Sequence, residues 1–200
     1  MPHPHRPRSR ARRPLNALGT VAAAGALLFT ASPAALAAPA SATALAGDPA
    51  GEYPCSAGLY RINTAGAGLP LTVSLDPANH GAVIQYAWDK YSNANQRWRV
   101  CRKHTSDGRD LVYFRDGWRD WCMVVDRWGK ESGTWIITVG CGDDVPENQA
   151  FRMAKVAGTD RFALQNLNSD KWVASQGHSD VSGVQMIQDS GPDLFYLQAV

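Results

Sequence analysis

One unit occurs three times along this 200-residue chain, and that repetition constrains the fold more than any other feature. Asn95-Gln96-Arg97-Trp98, Asn148-Gln149-Ala150-Phe151 and Asp193-Leu194-Phe195 each close a stretch that opens on an alternating apolar run and passes through a short Val/Ile-rich segment. A unit of about forty to fifty residues cannot bury its own apolar face, so it must stack on its copies. Three units built of strand and turn imply a three-fold β architecture. Binding becomes the first class of function to test.

The residues before the repeats read as an export signal. Arg6, Arg8, Arg10, Arg12 and Arg13 precede an Ala/Leu/Val run from Leu15 to Phe29, and small residues then lead to Ala35-Leu36-Ala37. A charged start, an apolar middle and an Ala-x-Ala site are the parts of a secretory signal peptide, here residues 1–37. A membrane anchor is the competing reading. The apolar run falls short of the ~20 residues a span needs, and Gly19, Gly25 and Pro33 interrupt it. Without the leader, fifteen basic side chains face eighteen acidic ones, a net of −3 in place of +2. The basicity therefore belongs to export, and neither nucleic acid nor an anionic membrane is an expected partner. An Ala/Gly/Pro/Ser-rich stretch at 38–54 reads as a flexible linker, and 55–200 is the size of one domain with one core.

The three units run at about 57–101, 109–154 and 160–200 in the same order. In the first, Leu59-Tyr60-Arg61-Ile62 alternates as a half-buried strand does, Leu69 to Val73 gives a second strand and Val83-Ile84-Gln85-Tyr86 a third. Gln96 to Val100 closes it. The second unit runs Leu111 to Phe114, Cys122 to Val125 and Ile136 to Val139, with Phe151 where Trp98 stood. The third runs Phe162 to Leu164, Trp172 to Ala174 and Val184 to Ile187. Phe195 rather than Tyr196 takes its buried aromatic place, because Phe195 and Leu197 then match Trp98 and Val100. No stretch after the leader keeps a helical period. About twelve short strands in three units of four fit an all-β closed and capped barrel.

Asn-Gln-x-Trp after a Val-Ile-Gln-aromatic strand, complete in repeat one, Asn-Gln-x-Phe in repeat two and reduced to Asp-Leu-Phe in repeat three, resembles the ricin-type (Gln-x-Trp repeat) β-trefoil lectin domain of secreted, bacterial-type proteins. The resemblance covers essentially all of 55–200 and implies pseudo-three-fold symmetry.

Four cysteines in an exported chain read as two disulfides, with three connectivities open. The resemblance chooses among them. Cys122 and Cys141 occupy the places where ricin-type repeats carry an internal bridge; their matches are Pro70 and Trp88 in repeat one, Lys171 and Asp189 in repeat three. Cys55 is then left for Cys101. No Cys-x-x-Cys and no His at ligand spacing occurs, so neither a metal nor another cofactor is expected.

In the family, an Asp on the second strand of a repeat grips two sugar hydroxyls. A ring at the end of the third strand stacks on the sugar's C–H face, and the Asn of Asn-Gln-x-Trp adds a hydrogen bond. A carboxylate can accept two hydroxyl hydrogens at once, and a flat ring can cover an apolar face. The matching second-strand residues are Thr72, Val124 and Val173, so the Asp is missing throughout. The ring survives only as Tyr86, against Val139 and Ile187. Repeat one thus becomes the expected glycan site, through Tyr86, Asn95, Gln96 and Thr72, with Asp89 or Asp76 lending a carboxylate from a neighbouring loop.

Plainer roles compete with these. Gln96 and Gln149 are well suited to brace a hairpin from inside, since buried amides need partners; Trp98 and Phe151 read as core. Among Trp118, Trp121, Trp128 and Trp135, core packing explains two. Trp118 and Trp128 lie in polar, Gly-containing turns and suggest an aromatic binding surface. His80, His104 and His178 lie in separate turns outside any nucleophile motif, His178-Ser179-Asp180 is contiguous in a way triads are not, and Asp143-Asp144 reads as a solvated loop. The chain is therefore not expected to be an enzyme. Two functions are carried forward: a secreted carbohydrate-binding protein whose partner is a glycan or polysaccharide, and a β-trefoil that binds protein, such as a protease inhibitor.

Overall fold

The computed structural model describes residues 54–79, 81–104, 110–142 and 145–200. The leader at 1–37, nearly all of the linker at 38–54, His80 and Asp143-Asp144 lie outside the described residues, as do the side chains of 103–110, His104 among them.

Twelve strands fall into three sets of four. The first set is β1 (Tyr60–Thr64), β2 (Leu71–Val73), β3 (Val83–Gln85) and β4 (Trp98–His104). The second is β5 (Asp110–Asp116), β6 (Cys122–Val125), β7 (Ile136–Val139) and β8 (Phe151–Lys155). The third is β9 (Phe162–Asn166), β10 (Trp172–Ser175), β11 (Met186–Asp189) and β12 (Phe195–Ala199). Helix among the described residues is limited to three-residue 3-10 turns.

The first and fourth strands of each set build the barrel. β1 pairs with β4 and β12, β5 with β4 and β8, and β9 with β8 and β12, all antiparallel. Six strands close on themselves, so the barrel they form has no open edge. The middle strands form the hairpins β2–β3, β6–β7 and β10–β11. The hairpins meet one another through the bridges Ala82↔Ile137, Trp135↔Ile187 and Ile84↔Gln185. This is a β-trefoil.

The core explains the repeated aromatic. Trp98, Phe151 and Phe195 each open the last strand of their set and are fully buried in one cluster with Ile62, Val112, Leu164 and Met123. Phe195 takes the inward place and Tyr196 only half of one. Trp98 also donates its indole N–H to the Leu71 carbonyl at 2.9 Å, which ties barrel to hairpin. Its polar atom is thereby satisfied inside the core.

Both disulfides form as expected, Cys55–Cys101 and Cys122–Cys141. They pack into a satellite cluster with Tyr113, on the outside of the barrel core.

Strand register fixes the equivalences between repeats and corrects repeat three. Thr72, Val124 and Ala174 face Ile84, Ile137 and Ile187 across their hairpins. The place matching Thr72 is therefore Ala174, not Val173. Continuing outward, Tyr86 and Val139 are matched by Asp189, not Ile187, and the two cysteine places are matched by Trp172 and Gly191, not Lys171 and Asp189. The third strand was expected to start at Val184, an apolar β-branched residue that extends the run. It starts at Met186, because Gln185 bridges to Ile84 and donates Nε2 to the carbonyls of Val83 and Ile136 at 2.9 and 3.1 Å.

Candidate functional site

A depression of about 420 Å³ opens at the top of the β2–β3 hairpin, with Tyr86, Asn95, Thr72 and Asp76 in its lining, along with Leu75, Ile84 and Gly183. Repeat one thus gathers Tyr86, Asn95 and Thr72 with Asp76, one of the two loop acids expected there. Tyr86 follows β3; its backbone N–H is held by the Pro70 carbonyl at 3.0 Å, and its side chain is 49% exposed. Asn95 is buried and donates Nδ2 to the Val73 carbonyl at 2.8 Å. That bond uses one of the two amide N–H groups, so the second N–H and the amide oxygen are left to meet a ligand.

The carboxylate at the pocket is Asp76, from the turn after β2. Its Oδ1 accepts the Ala78 N–H at 2.9 Å, Asn79 Nδ2 lies 3.5 Å from Oδ2, and the Ser74 hydroxyl accepts the Asp76 N–H at 3.2 Å. The turn holds the acid in place while leaving it exposed. Asp89 is not in the lining. Its Oδ1 accepts the Tyr91 N–H at 2.8 Å and shapes the β3–β4 loop.

Gln96 and Thr72 have structural partners. Gln96 is buried and contacts Thr72, Ala87 and the backbone of Asp89, which is the bracing role weighed against ligand contact. The Thr72 hydroxyl donates to the Pro70 carbonyl at 3.0 Å and accepts from Gln96, so Thr72 shapes the pocket wall with its hydroxyl already engaged.

The other two repeats are built differently. In repeat two the equivalent places hold Val124 and Val139; Asn148 Nδ2 donates to the Val125 carbonyl at 3.3 Å, as Asn95 does to Val73. In repeat three a polar network stands there. His178 Nδ1 lies 2.7 Å from Asp193 Oδ1, and Nε2 lies 3.6 Å from Asp189 Oδ2. Asp193 Oδ2 accepts both the N–H and the hydroxyl of Ser175 at 2.7 Å. The Asp193 hydrogen bond raises the His178 pKa; burial opposes it, and the charges of Asp193 and Asp189 reinforce it. In the sequence His178 reads as loop polarity, and the network is not visible there. The available signal was Asp193, an acid standing where the other units carry Gln.

None of the four clustered tryptophans joins the buried core, against the expectation of two. Trp121 is half-buried, while Trp118, Trp128 and Trp135 are 42%, 53% and 43% exposed. Trp118 and Trp121 lie between β5 and β6, and Trp128 and Trp135 between β6 and β7. Trp118 follows β5, with the Arg119 guanidinium 3.7 Å from its ring centre. Trp128 lies in the β6–β7 connection at φ +57°, after Arg127 at φ +47°. Two consecutive non-Gly residues in the left-handed region carry backbone strain. Among the described residues no group of three or more His, Cys, Asp or Glu side chains is placed to hold a metal ion. No helix among them is long and apolar enough to cross a membrane.

No protein-family model matches the chain, and no curated protein matches it in sequence. Solved structures do match in fold. A designed three-fold symmetric protein, ThreeFoil, superposes with a TM-score of 0.60 at 21% identity, over 70% of this chain and 97% of that one. An exo-β-1,3-galactanase from Clostridium thermocellum gives 0.59 at 19% identity, over 72% of this chain and 31% of the galactanase. A Polyporus squamosus lectin bound to a sialylated influenza-binding epitope gives 0.54 at 15% identity, over 71% of this chain and 49% of the lectin. The chain thus spans about a third of the galactanase and half of the lectin. At these identities the likeness is one of fold: this chain is a β-trefoil of the architecture found in lectins and in glycoside hydrolases.

Proposed function

We propose that this chain is a secreted carbohydrate-binding protein, a degenerate ricin-type lectin without catalytic activity, whose working site is the repeat-one pocket. The observation that carries the reading is the convergence of an exposed ring, a buried amide and a turn carboxylate, Tyr86, Asn95 and Asp76, on one depression. These are the three group types a pyranose demands: a flat apolar surface, a directional hydrogen-bonding amide, and an acceptor for paired hydroxyls. Repeats two and three offer Val139 and Asp189 at the ring's place, and neither can stack. Fold neighbours that are lectins or galactan-cleaving enzymes support a glycan as the ligand class.

Affinity at the site is weak, because one ring and one loop acid replace a strand-borne Asp. A panel of immobilised galactose-, xylose- and glucose-based polysaccharides tests the reading. Tyr86→Ala, with folding unchanged, removes a stacking contact of about 0.5–1.5 kcal/mol and lowers retention about two- to tenfold. Retention unaltered by Tyr86→Ala and Asp76→Asn overturns the site. Absence of retention favours the second reading, a protein-binding trefoil, for which the exposed Trp128 and Trp135 on the β6–β7 hairpin are the motivating observation.

A further inference from the structure

The repeat-one pocket does not end at Asn95. Asn95 and Leu75 line a second, smaller depression of about 100 Å³, whose far wall is Trp118 from the turn after β5 in repeat two. The two depressions share those residues in their linings and so lie side by side, as one composite groove. Along it lie three exposed apolar side chains: Tyr86, then Leu75 at 55% exposure, then Trp118.

Trp118 is held in place by the chain around it. The Gly117 N–H donates to the Arg97 carbonyl at 2.7 Å, which seats the β5–β6 turn against the turn carrying Asn95. A Cβ at Gly117 would lie 3.2 Å from Arg97 and 3.3 Å from the Ala94 carbonyl, so a glycine is what permits the close approach. Behind the turn, the buried carboxylate of Asp116 accepts the N–H of Trp118 at 2.9 Å, of Arg119 at 2.6 Å and of Trp121 at 3.0 Å. Arg119 then stacks on the indole. A large ring fixed by a buried acid and an arginine, yet left open to water beside a pocket, is preorganised for a ligand.

We infer that the groove binds an extended glycan of at least two to three pyranose units, with one unit over Tyr86 and Asp76 and the next against Leu75 and Trp118. Trp118 is then a second-subsite residue that selects for chain length. This rests on the reading of the repeat-one pocket as a glycan site. The chemistry follows from the ligand's form: successive pyranose rings each present an apolar C–H face, and a groove with separated exposed rings meets them in turn. The groove is composite, since repeat one supplies its floor, repeat two its Trp118 wall and repeat three Gly183.

The test is calorimetric titration of the full chain with β-1,3-galacto-, xylo- and cello-oligosaccharides of one to four units. In the series that binds, affinity is expected to rise at least tenfold from one unit to three. Trp118→Ala should reduce that gain below threefold and leave single-unit affinity unchanged, while Trp118→Phe, which keeps a ring, should restore most of it. Tyr86→Ala should weaken every length. Binding that is lost in Tyr86→Ala but flat with length, or a length gain that survives Trp118→Ala, overturns this inference alone. Failure of all three series, or binding indifferent to Tyr86→Ala, overturns the pocket reading and this inference with it.

Discussion

Gln96 donates Nε2 to the Thr72 hydroxyl at 3.0 Å and to the Ala87 carbonyl at 2.9 Å, while its Oε1 accepts the Asp89 N–H at 2.9 Å. One buried amide therefore joins β2, the chain after β3 and the loop leading to β4. Gln96→Ala removes three bonds, one buried and two partly buried, and should cost about 2–3 kcal/mol. Urea unfolding measures that loss. Glycan affinity of the folded variant should stay within about twofold of the parent, because Tyr86, Asn95 and Asp76 are untouched. A large affinity loss with unchanged stability would make Gln96 a ligand contact instead of a brace.

The aromatic at the head of β4 separates packing from hydrogen bonding. Trp98→Ala empties a fully buried site and should cost about 3–5 kcal/mol. Trp98→Phe keeps a ring, as repeats two and three do with Phe151 and Phe195, and loses the bond to the Leu71 carbonyl. That variant should cost about 1–2 kcal/mol. Denaturant titration of both variants checks the order; a Phe variant as unstable as the Ala variant would contradict it.

The architecture was legible because repeated aromatics and alternating runs each report a local rule, inward packing at the closing strand and half-burial along the others. Trp98, Phe151 and Phe195 satisfy both rules, and both disulfides match the pairing that the family resemblance implies. Repeat three was legible only to within one or two residues. A one-residue slip in a strand exchanges its faces, and the Trp172–Ser175 stretch gives little polar contrast to prevent one. The pairing of Ala174 with Ile187 settles it. Tyr86 and Asn95, which line the repeat-one pocket, were legible through their places in the repeat. Asp76 over Asp89 was undecidable from sequence, because both sit in polar loops and only the turn geometry directs one to the pocket. Trp118 was visible as an aromatic in a polar turn. Its adjacency to Asn95 depends on Gly117 packing against repeat one, a contact between residues about twenty apart that no local pattern encodes.

The two disulfides should prove energetically coupled. Cys122 and Cys141 are 19 residues apart and Cys55 and Cys101 are 46 apart, so loop-closure entropy predicts about 3 and 4 kcal/mol respectively. Both bridges pack on Tyr113 in one satellite cluster. Replacing each pair by alanines, singly and together, forms a double-mutant cycle. Shared contacts predict an interaction term above about 0.5 kcal/mol. Additive losses would show that the bridges act independently through the unfolded chain.

His178 gives the chain a pH response whose sign follows from its partners. Its pKa is raised, first by the hydrogen bond to Asp193, so the protonated imidazole is favoured in the folded state over the unfolded one. A raised folded-state pKa contributes stability that is complete below the unfolded value of 6.5 and lost as pH rises through the folded value. Asp189 behaves oppositely. Its pKa is lowered, chiefly by the Ser190 N–H and then by the Ser132 hydroxyl, so its contribution is lost only as pH falls through the acid range. The two windows do not overlap. Between mild acid and mild base, the parent should therefore lose stability that His178→Gln does not, and Asp193→Asn should bring the His178 titration back toward its ordinary value. With the imidazole 47% exposed, solvent screening keeps the effect small, so the direction is the prediction. Urea midpoints across that range, alongside NMR titration of the His178 ring, provide the check. A parent that grows more stable as pH rises through the window, or a His178 that titrates below 6.5, would overturn the assignment of Asp193 as its dominant partner.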